Sequence, residues 1–388
     1  MNTKKNILIL SPFFYPEPIS TGKFNSEVAI ALKEKGHNVT VLCFHPFYPD
    51  WEIKKSILNL DGIKIVRGGN NLKFSKKTII RRFTLELGYA FFVVKKIKKY
   101  QKKCDVIIPV FPPSFAFYTV LSFLNKKIKK VGMVHDLQEV YTKNKKGIVN
   151  KLVSFFINKI ESRCYNSCDK LIFLSNEMNE VAKKLYNLHP SKLETQYPFH
   201  SLKNEITNDL GSVLVEKNVN IVYSGALGEK QNPKGLYNFF NFASSKIENV
   251  YFHFFSQGNV FNELKNDNKN DRIKFHNLVE QKNLEELYLR SDIQIIPQLP
   301  ETSKGSLPSK LPNLLVSGCD ILVITDKGSE IEKLFRINNF KGVTTSWENE
   351  NLLEIVKYIL KNKNENKNQK KIAKKLFTLD EMIDKIIQ

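Results

Sequence analysis

The sequence predicts an α/β protein built from two doubly wound domains. Three observations support this prediction: the length of the chain, short apolar runs that alternate with helical stretches, and a glycine-containing loop after the first run of each series. The chain has 388 residues, which predicts two domains of about 150–200 residues each rather than one core. Hydrophobic residues make up 42% of it, which excludes wholesale disorder.

The first series begins at residues 7–10, a continuous apolar run typical of a parallel strand covered on both faces. A loop with prolines and Gly22 follows, and a helix is predicted over Phe24–Lys35, ended by Gly36. Residues 39–44 complete a βαβ unit. Further strands are predicted at 106–110, 131–134 and 171–174. The alternation predicts a doubly wound sheet that runs to about residue 195.

The second series follows a polar stretch at residues 204–220, interpreted as a linker followed by a short helix. Its strands are predicted at 219–223, 251–255, 273–275, 293–296 and 321–324. The predicted domains are residues 1–200 and 201–368, and a last helix over about 369–387 is expected to pack back on the first domain after a polar connector at 362–371. The two domains are expected to face each other across a cleft lined by the carboxyl ends of their strands.

The charge of the chain predicts an anionic partner. Lys and Arg total 60 and Asp and Glu total 39, for a formal net charge of +21. Nucleic acid, an anionic lipid surface and a phosphorylated substrate all fit this excess. Coding bias toward Lys, Asn and Ile is an alternative explanation. No recognised nucleic-acid module appears, which argues against nucleic acid as the partner.

The remaining composition bears on the compartment of the protein. The five cysteines are scattered and complete no zinc set, so structural thiols in a reducing cytosol are expected. The apolar run at residues 7–10 is too short for a signal-peptide core, and no window of about 18 apolar residues exists. We therefore expect a cytoplasmic protein, soluble or peripheral at the inner face of the plasma membrane.

Three loops carry the residue types of an anion site. Gly22 lies in the first βα loop, where free N–H groups at a helix N-terminus favour an anion; an ordinary βα loop is the alternative. Gly225, Gly228 and Lys230 follow the first strand of the second domain and suit a phosphate. Pro308 predicts a helix start at Ser309 and Lys310, with Asn313 one turn on and in reach of a ribose or sugar hydroxyl; a plain N-cap at Ser309 is the alternative.

These segments together resemble family-4 glycosyltransferases, and among them the colanic-acid and O-antigen type that builds surface polysaccharides. The resemblance is carried by residues 11–18 (SPFFYPEP), 21–23 (TGK), 36–41 (GHNVTV), 223–228 (YSGALG) and 308–318 (PSKLPNLLVSG). It spans nearly the whole chain in the expected order. It implies a GT-B fold, a nucleotide-sugar donor, here a UDP-sugar, and retention of anomeric configuration, with a lipid-linked acceptor.

The resemblance also implies roles for individual residues. The donor diphosphate would be contacted by Gly225, Gly228 and Lys230, with Ser309 and Lys310 beside it. Gly22, in the acceptor domain, would approach the diphosphate from the other side. Glu330 would lie near the donor ribose or sugar. The segment 135–139 occupies the place of a catalytic or sugar-contacting residue, so His135 or Asp136 would take the acceptor proton or contact the donor sugar.

Two departures from the family pattern concern these roles. The family commonly carries two glutamates eight positions apart, where this chain has Gly305 and Asn313, and many members have Arg where this chain has Glu229. Lys230 is then the main phosphate cation. Lys230, Lys310 and two helix N-termini are expected to stabilise the leaving diphosphate. No Asp-x-Asp site occurs at a strand end, so no metal is predicted.

A membrane-contacting helix is predicted within residues 73–103. Its apolar centre is bracketed by basic pairs, which are Lys76 and Lys77, Arg81 and Arg82, and Lys95 and Lys96. This composition is typical of a helix in a membrane interface. An internal helix with solvated lysines is the alternative interpretation.

Other function classes stay open at this point. A nucleotide-sugar 2-epimerase shares the two-domain plan but acts on one soluble substrate, and it has little use for a basic apolar patch. A non-catalytic scaffold of the same fold is a further alternative, because the paired glutamates are absent.

Overall fold

The computed structural model describes residues 4–17, 19–137, 148–202, 206–303, 307–363 and 367–388, which form two compact units. Unit 1 comprises Met1–Tyr197 and Leu379–Gln388, and unit 2 comprises Pro198–Thr378. Three residues singled out in the sequence, Gln138, Glu139 and Gly305, lie outside the described residues. None of the helices in the described ranges is long and apolar enough to cross a membrane.

Unit 1 is built on one parallel sheet with the strand order β3-β2-β1-β4-β5-β6-β7. Its elements are, in chain order, β1 (Asn6–Leu10), α1 (Ser20–Glu34), β2 (Asn38–Phe44), β3 (Ile63–Gly68), α2 (Thr78–Tyr100), β4 (Val106–Phe111), α3 (Phe115–Val120), β5 (Lys129–Val134), α4 (Ile148–Ser167), β6 (Lys170–Phe173), α5 (Asn176–Tyr186) and β7 (Leu193–Thr195). The strand order reverses between β1 and β4, as in a doubly wound fold.

The helices of unit 1 form two layers. Right-handed crossovers place α1 on one face of the sheet and α2, α3, α4 and α5 side by side on the other. In that second layer α3 packs against both α2 and α4. A buried aromatic cluster lies under this layer, where the ring of Phe44 meets those of Tyr89 and Phe92 with centroids 5.3 and 6.0 Å apart.

Unit 2 repeats the plan with a parallel sheet ordered β10-β9-β8-β11-β12-β13. Its elements are β8 (Val219–Ser224), α6 (Pro233–Ser244), β9 (Val250–Phe255), α7 (Asn259–Asp267), β10 (Ile273–His276), α8 (Leu284–Arg290), β11 (Ile293–Pro297), α9 (Leu311–Ser317), β12 (Ile321–Ile324), α10 (Glu330–Ile337), β13 (Val343–Thr344), α11 (Asn349–Lys361) and α12 (Lys367–Leu376). A separate core surrounds Phe240, whose ring centroid is 4.5 Å from that of Phe252.

The last helix, α13 (Leu379–Ile387), belongs to unit 1 and packs on α1. Lys35, which follows the last residue of α1, donates to Asp384 across 2.8 Å. Lys385 donates to the carbonyl of Thr195 across 2.9 Å, which joins the helix to β7. Residues 379–388 are therefore part of the first unit.

The predicted α/β fold with two doubly wound domains is confirmed, and a strand forms at each predicted position. Three local predictions are corrected. The first helix begins at Ser20, not Phe24; residues 206–218 contain no helix before β8; and the single helix expected over 369–387 is two helices, α12 and α13. The strands β3, β7 and β13 were not predicted.

Candidate functional site

A cavity of about 360 Å³ lies at the carboxyl ends of β8 and β11 in unit 2. The chain leaves β8 toward β9 and leaves β11 toward β12, so the two connections diverge and open a crevice at the reversal of strand order. Its walls come from the loop after β8, the segment 278–288 and residues within 296–302 and 307–310. Its size falls within the range of small-molecule sites.

The loop after β8 turns away from the sheet at Gly225, whose φ of +122° is a conformation that L side chains rarely adopt. A Cβ added there would meet nothing within 4 Å, so the backbone is open to a ligand. The N–H of Gly225 donates to the carbonyl of Phe255 across 3.0 Å, and that of Gly228 donates to Gln231 across 3.0 Å. The N–H groups of both glycines are therefore already bonded within the protein, and Gly228, unlike Gly225, is not among the described residues that line the cavity.

Two of the predicted lysines line this cavity. Lys230 lies in the short 3₁₀ turn Glu229–Gln231 that follows Gly228, and Lys310 lies opposite it, just before α9. The ammonium of Lys310 donates to the carbonyls of Ser224 and Ile295, each across 2.9 Å. It also lies 4.6 Å from the centroid of the Tyr223 ring. These contacts fix one cation over the ends of β8 and β11.

Burial lowers the pKa of Lys310 to about 7. The group is therefore divided between its charged and neutral forms near neutral pH, and an anion beside it favours the charged form. This is the behaviour expected of a phosphate-binding lysine held in a poorly solvated site. The predicted helix start at Pro308 is corrected, because residues 308–310 form a turn and α9 begins at Leu311.

Three further predicted donor residues take different places. Ser309 lines the cavity. Asn313 accepts from the backbone N–H of Ser201 across 2.8 Å and donates to its hydroxyl across 3.2 Å, and it is not among the described lining residues. Glu330 opens α10 and is 4% exposed. The N-cap of that helix, Ser329, bonds Thr325, which donates to the cavity residue Gln298 across 2.6 Å.

Gly22 lies inside the first turn of α1 and not in the loop before it, which corrects the predicted position. A Cβ there would come within 2.9 Å of the Cβ of Glu17, so close packing against the preceding loop requires glycine. Glu17 is itself buried and accepts from the backbone N–H groups of Phe47 and Tyr48. Burial raises the pKa of Glu17 although these bonds oppose the shift.

His135 follows β5, and its ring contacts that of Phe24 edge to face with centroids 4.7 Å apart. Burial lowers its pKa to about 4, so the imidazole is neutral at physiological pH. Its Nε2 is buried and has no hydrogen-bond partner among the residues that the structure describes. The neighbouring Asp136 accepts from the N–H of Leu137 across 2.9 Å. A neutral imidazole with a free ring nitrogen suits hydrogen bonding better than proton abstraction.

The predicted membrane helix is α2, and it has one buried apolar face and one exposed apolar face. Leu85, Tyr89 and Val93 are buried against the sheet. A second apolar stripe faces outward and is 38–63% exposed; it consists of Ile80, Phe83, Leu87, Phe91 and Val94. Among the basic residues, Lys76, Lys77, Arg82, Lys95 and Lys96 are exposed, whereas the Arg81 guanidinium lies 4.2 Å from the Trp51 ring centroid.

Two features of unit 2 were not predicted from the sequence. Leu278 and Val279 form an apolar wall of the cavity. Behind it, His253 and His276 share a hydrogen bond of 3.1 Å, and the His276 ring stacks on Phe255, a cavity residue, with centroids 4.5 Å apart. Neither histidine stands in a recognisable motif, so the sequence carries no signal for the pair. In the described ranges no three His, Cys, Asp or Glu residues are grouped to hold a metal.

The histidine pair predicts acid sensitivity. Burial lowers the pKa of His253 to about 3 and that of His276 to about 4, with nearby positive charge adding to the shift. The unfolded chain binds these protons from about pH 6.5 downward and the folded chain does not, so stability is present above about pH 6.5 and is lost as the pH falls toward about 4. Urea unfolding should show the double variant His253→Phe/His276→Phe losing less stability over that interval, by on the order of 5 kcal/mol for the two groups together. Equal losses in both proteins would contradict this assignment.

Comparison with known proteins identifies a family match in unit 1. Residues 22–202 match the model of Glycosyltransferase Family 4, which covers somewhat less than half of the chain. No curated protein sequence matches the chain significantly.

Solved structures match nearly the whole chain at low sequence identity. WaaG, a glycosyltransferase involved in lipopolysaccharide biosynthesis, is 14% identical with a TM-score of 0.67 (98% of this chain, 99% of that chain). HepE from Anabaena in complex with UDP-glucose is 14% identical with a TM-score of 0.64 (98% of each). A putative UDP-N-acetylglucosamine 2-epimerase from Listeria monocytogenes is 10% identical with a TM-score of 0.62 (98% and 94%). The chain thus has the GT-B fold of two Rossmann-like domains, with its residues 22–202 matching Glycosyltransferase Family 4.

Proposed function

We propose that the protein is a retaining glycosyltransferase that moves a sugar from a UDP-sugar to a polyprenyl-diphosphate-linked saccharide during assembly of a bacterial surface polysaccharide. The observation that carries the proposal is the cavity of unit 2, where an open glycine turn and two lysines meet at the reversal of strand order. The family match of residues 22–202 supports the class of reaction.

The two sides of the cavity suit the two ends of a nucleotide sugar. Leu278 and Val279 form an apolar wall that fits a nucleobase. Lys230 and Lys310 offer cations for the diphosphate, and Gly225 lets it approach the backbone. HepE, of the same fold, holds UDP-glucose, which supports a uridine nucleotide as the donor.

The chemistry follows from where charge develops. When the bond between the anomeric carbon and the diphosphate oxygen breaks, its electron pair goes to the leaving UDP. Cations fixed beforehand at that oxygen lower the barrier, because they need not reorganise during the reaction. The acceptor hydroxyl attacks from the same face of the sugar, and its proton passes to a leaving-phosphate oxygen. With the lysines in this role, we propose that transfer needs no metal.

The acceptor half of the proposal rests on unit 1. The outward apolar stripe of α2 and its flanking lysines are suited to a membrane, where a lipid-linked saccharide resides. The motifs near residues 11–41 and 308–318 resemble the enzymes of surface polysaccharides, and WaaG acts in lipopolysaccharide biosynthesis. His135 and Asp136 are proposed to contact the acceptor or the donor sugar.

The test is an assay of transfer and hydrolysis with a panel of nucleotide sugars, with and without polyprenyl-diphosphate saccharide in anionic liposomes, each with and without EDTA. We expect transfer from a UDP-sugar that requires the lipid acceptor and persists in EDTA. Loss of transfer in EDTA would overturn the metal-independent mechanism alone.

The same assay separates the alternatives. A 2-epimerase, which the Listeria neighbour makes a specific candidate, would change the stereochemistry of a UDP-sugar in solution without any acceptor. A non-catalytic scaffold would turn over no nucleotide sugar under any of these conditions. Either result would replace the transferase proposal.

A further inference from the structure

The helix layer α2–α3–α4 of unit 1 carries exposed aromatic and aliphatic side chains beyond the stripe of α2. Phe123, in the 3₁₀ turn after α3, is 50% exposed, and Phe155 and Phe156 of α4 are 52% and 61% exposed. Lysines lie over several of these rings: Lys98 is 5.9 Å from Phe123 and Lys159 is 4.5 Å from Phe155. Large apolar side chains gathered on one face mark an interaction surface.

A second cavity, of about 270 Å³, opens on the same layer between the turn after α3 and the end of α4. Three basic residues line it, which are Lys126, Lys130 and Arg163. Ser122, Asn125 and Ser167 add polar groups. It lies at the amino ends of β5 and β6, the opposite edge of the sheet from His135, so it is distinct from the acceptor side of unit 1.

The charges of this cavity are only partly balanced. Lys130 forms an ion pair of 3.1 Å with Asp169 and donates to the carbonyl of Ile128. Lys126 and Arg163 are exposed, and neither makes a side-chain hydrogen bond or ion pair with another residue in the described ranges. Two cations near hydroxyl groups match the oxygens of a phosphate, which a guanidinium binds through two N–H groups.

The cavity is continuous with the apolar surface. Ser122 and Phe123 are adjacent in the chain, and the carbonyl of Phe123 accepts from Gln101, at the end of α2, across 3.0 Å. On α4, Phe156 lies two helical turns from Arg163 and therefore on the same side of the helix. A free phosphate ion would use the cations alone. A phospholipid has both a phosphate and acyl chains, so it uses the cations and the exposed rings together.

We propose that this cavity binds the phosphate headgroup of an anionic phospholipid in a bilayer, with Phe123 and Phe156 entering the boundary of the acyl chains. The choice of a membrane as the occupant rests on the proposed function, because a lipid-linked acceptor brings the protein to a bilayer. The site itself is separate from the donor cavity, so its loss leaves donor chemistry intact. Lysine stems pack along the rings while their ammonium groups reach the headgroups.

The test is flotation of the full-length protein with neutral phosphatidylcholine vesicles and with vesicles that also contain phosphatidylglycerol. The variant Lys126→Gln/Arg163→Gln is expected to partition about 30-fold more weakly onto the anionic vesicles, since each basic residue near the surface contributes about 1 kcal/mol. The matched control Lys217→Gln/Lys265→Gln removes the same charge from exposed sites of unit 2 and should bind like the parent. Phe123→Ser should weaken binding to both kinds of vesicle.

Several outcomes would overturn the proposal. Equal loss in the two double variants would mean that net charge alone drives binding. Tight binding of inorganic phosphate or glycerol phosphate in solution, abolished in Lys126→Gln/Arg163→Gln while vesicle binding persists, would assign the cavity to a free anion. Binding of a UDP-sugar without vesicles is measured in parallel. Absence of UDP-sugar binding with intact vesicle binding refutes the transferase, whereas intact UDP-sugar binding without vesicle binding refutes the lipid site.

Discussion

Replacing Lys310 with methionine is expected to lower turnover of the donor by about 100- to 1,000-fold, the effect of removing one fixed charge-stabilising group from a reacting oxyanion. The ammonium is held by the carbonyls of Ser224 and Ile295, so it lies at the cavity before any ligand arrives. Initial rates with a UDP-sugar, normalised to folded protein by circular dichroism, measure the effect.

The control must account for the two carbonyls that lose their donor in Lys310→Met, which costs about 1–3 kcal/mol of stability. Lys370→Met is matched to it, because Lys370 also donates to a backbone carbonyl of unit 2, that of Ser317, across 3.2 Å. Lys370 is not one of the described residues that line the donor cavity. The interpretation fails if both variants keep the parent's specific activity per folded molecule.

The pH dependence of donor binding provides an independent check of this lysine. Because burial lowers the pKa of Lys310 to about 7, the charged form that attracts a diphosphate predominates below that pH and is depleted above it. Affinity for a UDP-sugar should fall as the pH rises from about 6 to about 8.5. In Lys310→Met isothermal titration should show a nearly flat profile; a profile as steep as the parent's would assign the titration to another group.

Substitution of Gly225 by alanine is expected to reduce donor affinity by about 100-fold. The residue has a φ of +122°, where a Cβ introduces strain of about 1–3 kcal/mol, and relief of that strain moves the loop that lines the cavity. A shift of about 1 Å at a binding loop is enough for an effect of this size. Equilibrium binding of UDP measures it.

A second glycine separates the binding effect from the strain. Gly258 has a φ of +105° and, like Gly225, nothing within 4 Å of an added Cβ, but it is not among the described residues that line the cavity. Gly258→Ala should cost a similar amount of stability while UDP binding stays near that of the parent. If Gly225→Ala binds UDP as tightly as Gly258→Ala does, the glycine turn does not contact the donor.

The sequence predicted the interior strands of both described sheets and missed three of their four edge strands, β3, β7 and β13. β4 reads as an unbroken apolar run because both of its faces are covered, whereas β3 (IKIVRG) lies at an edge and mixes polar with apolar residues without a regular period, and β13 has only two residues. An edge strand has weaker hydrophobic periodicity, so pattern alone does not separate it from a loop.

The same contrast applies to the candidate site. Small residues and lysines after a strand predict a phosphate loop, and Gly225, Lys230, Ser309 and Lys310 do line one cavity. The motif does not predict the hydrogen-bond partner of each side chain, however. Asn313 bonds Ser201, more than a hundred positions earlier in the chain, and the pairing of His253 with His276 depends on the register of two adjacent strands. Such contacts are set by tertiary packing, which local spacing does not encode.

The placement of α13 has a consequence for biosynthesis. Unit 1 is interrupted by the whole of unit 2, and its final helix is bonded to α1 and β7 through Lys35 and Lys385. During translation, unit 2 is therefore fully synthesised while unit 1 still lacks its last helix, and the first unit is finished only when residues 379–387 leave the ribosome. A nascent chain released before residue 379 would have a complete second unit and an unfinished first one, so synthesis of residues 379–387 is a checkpoint for the production of an intact unit 1.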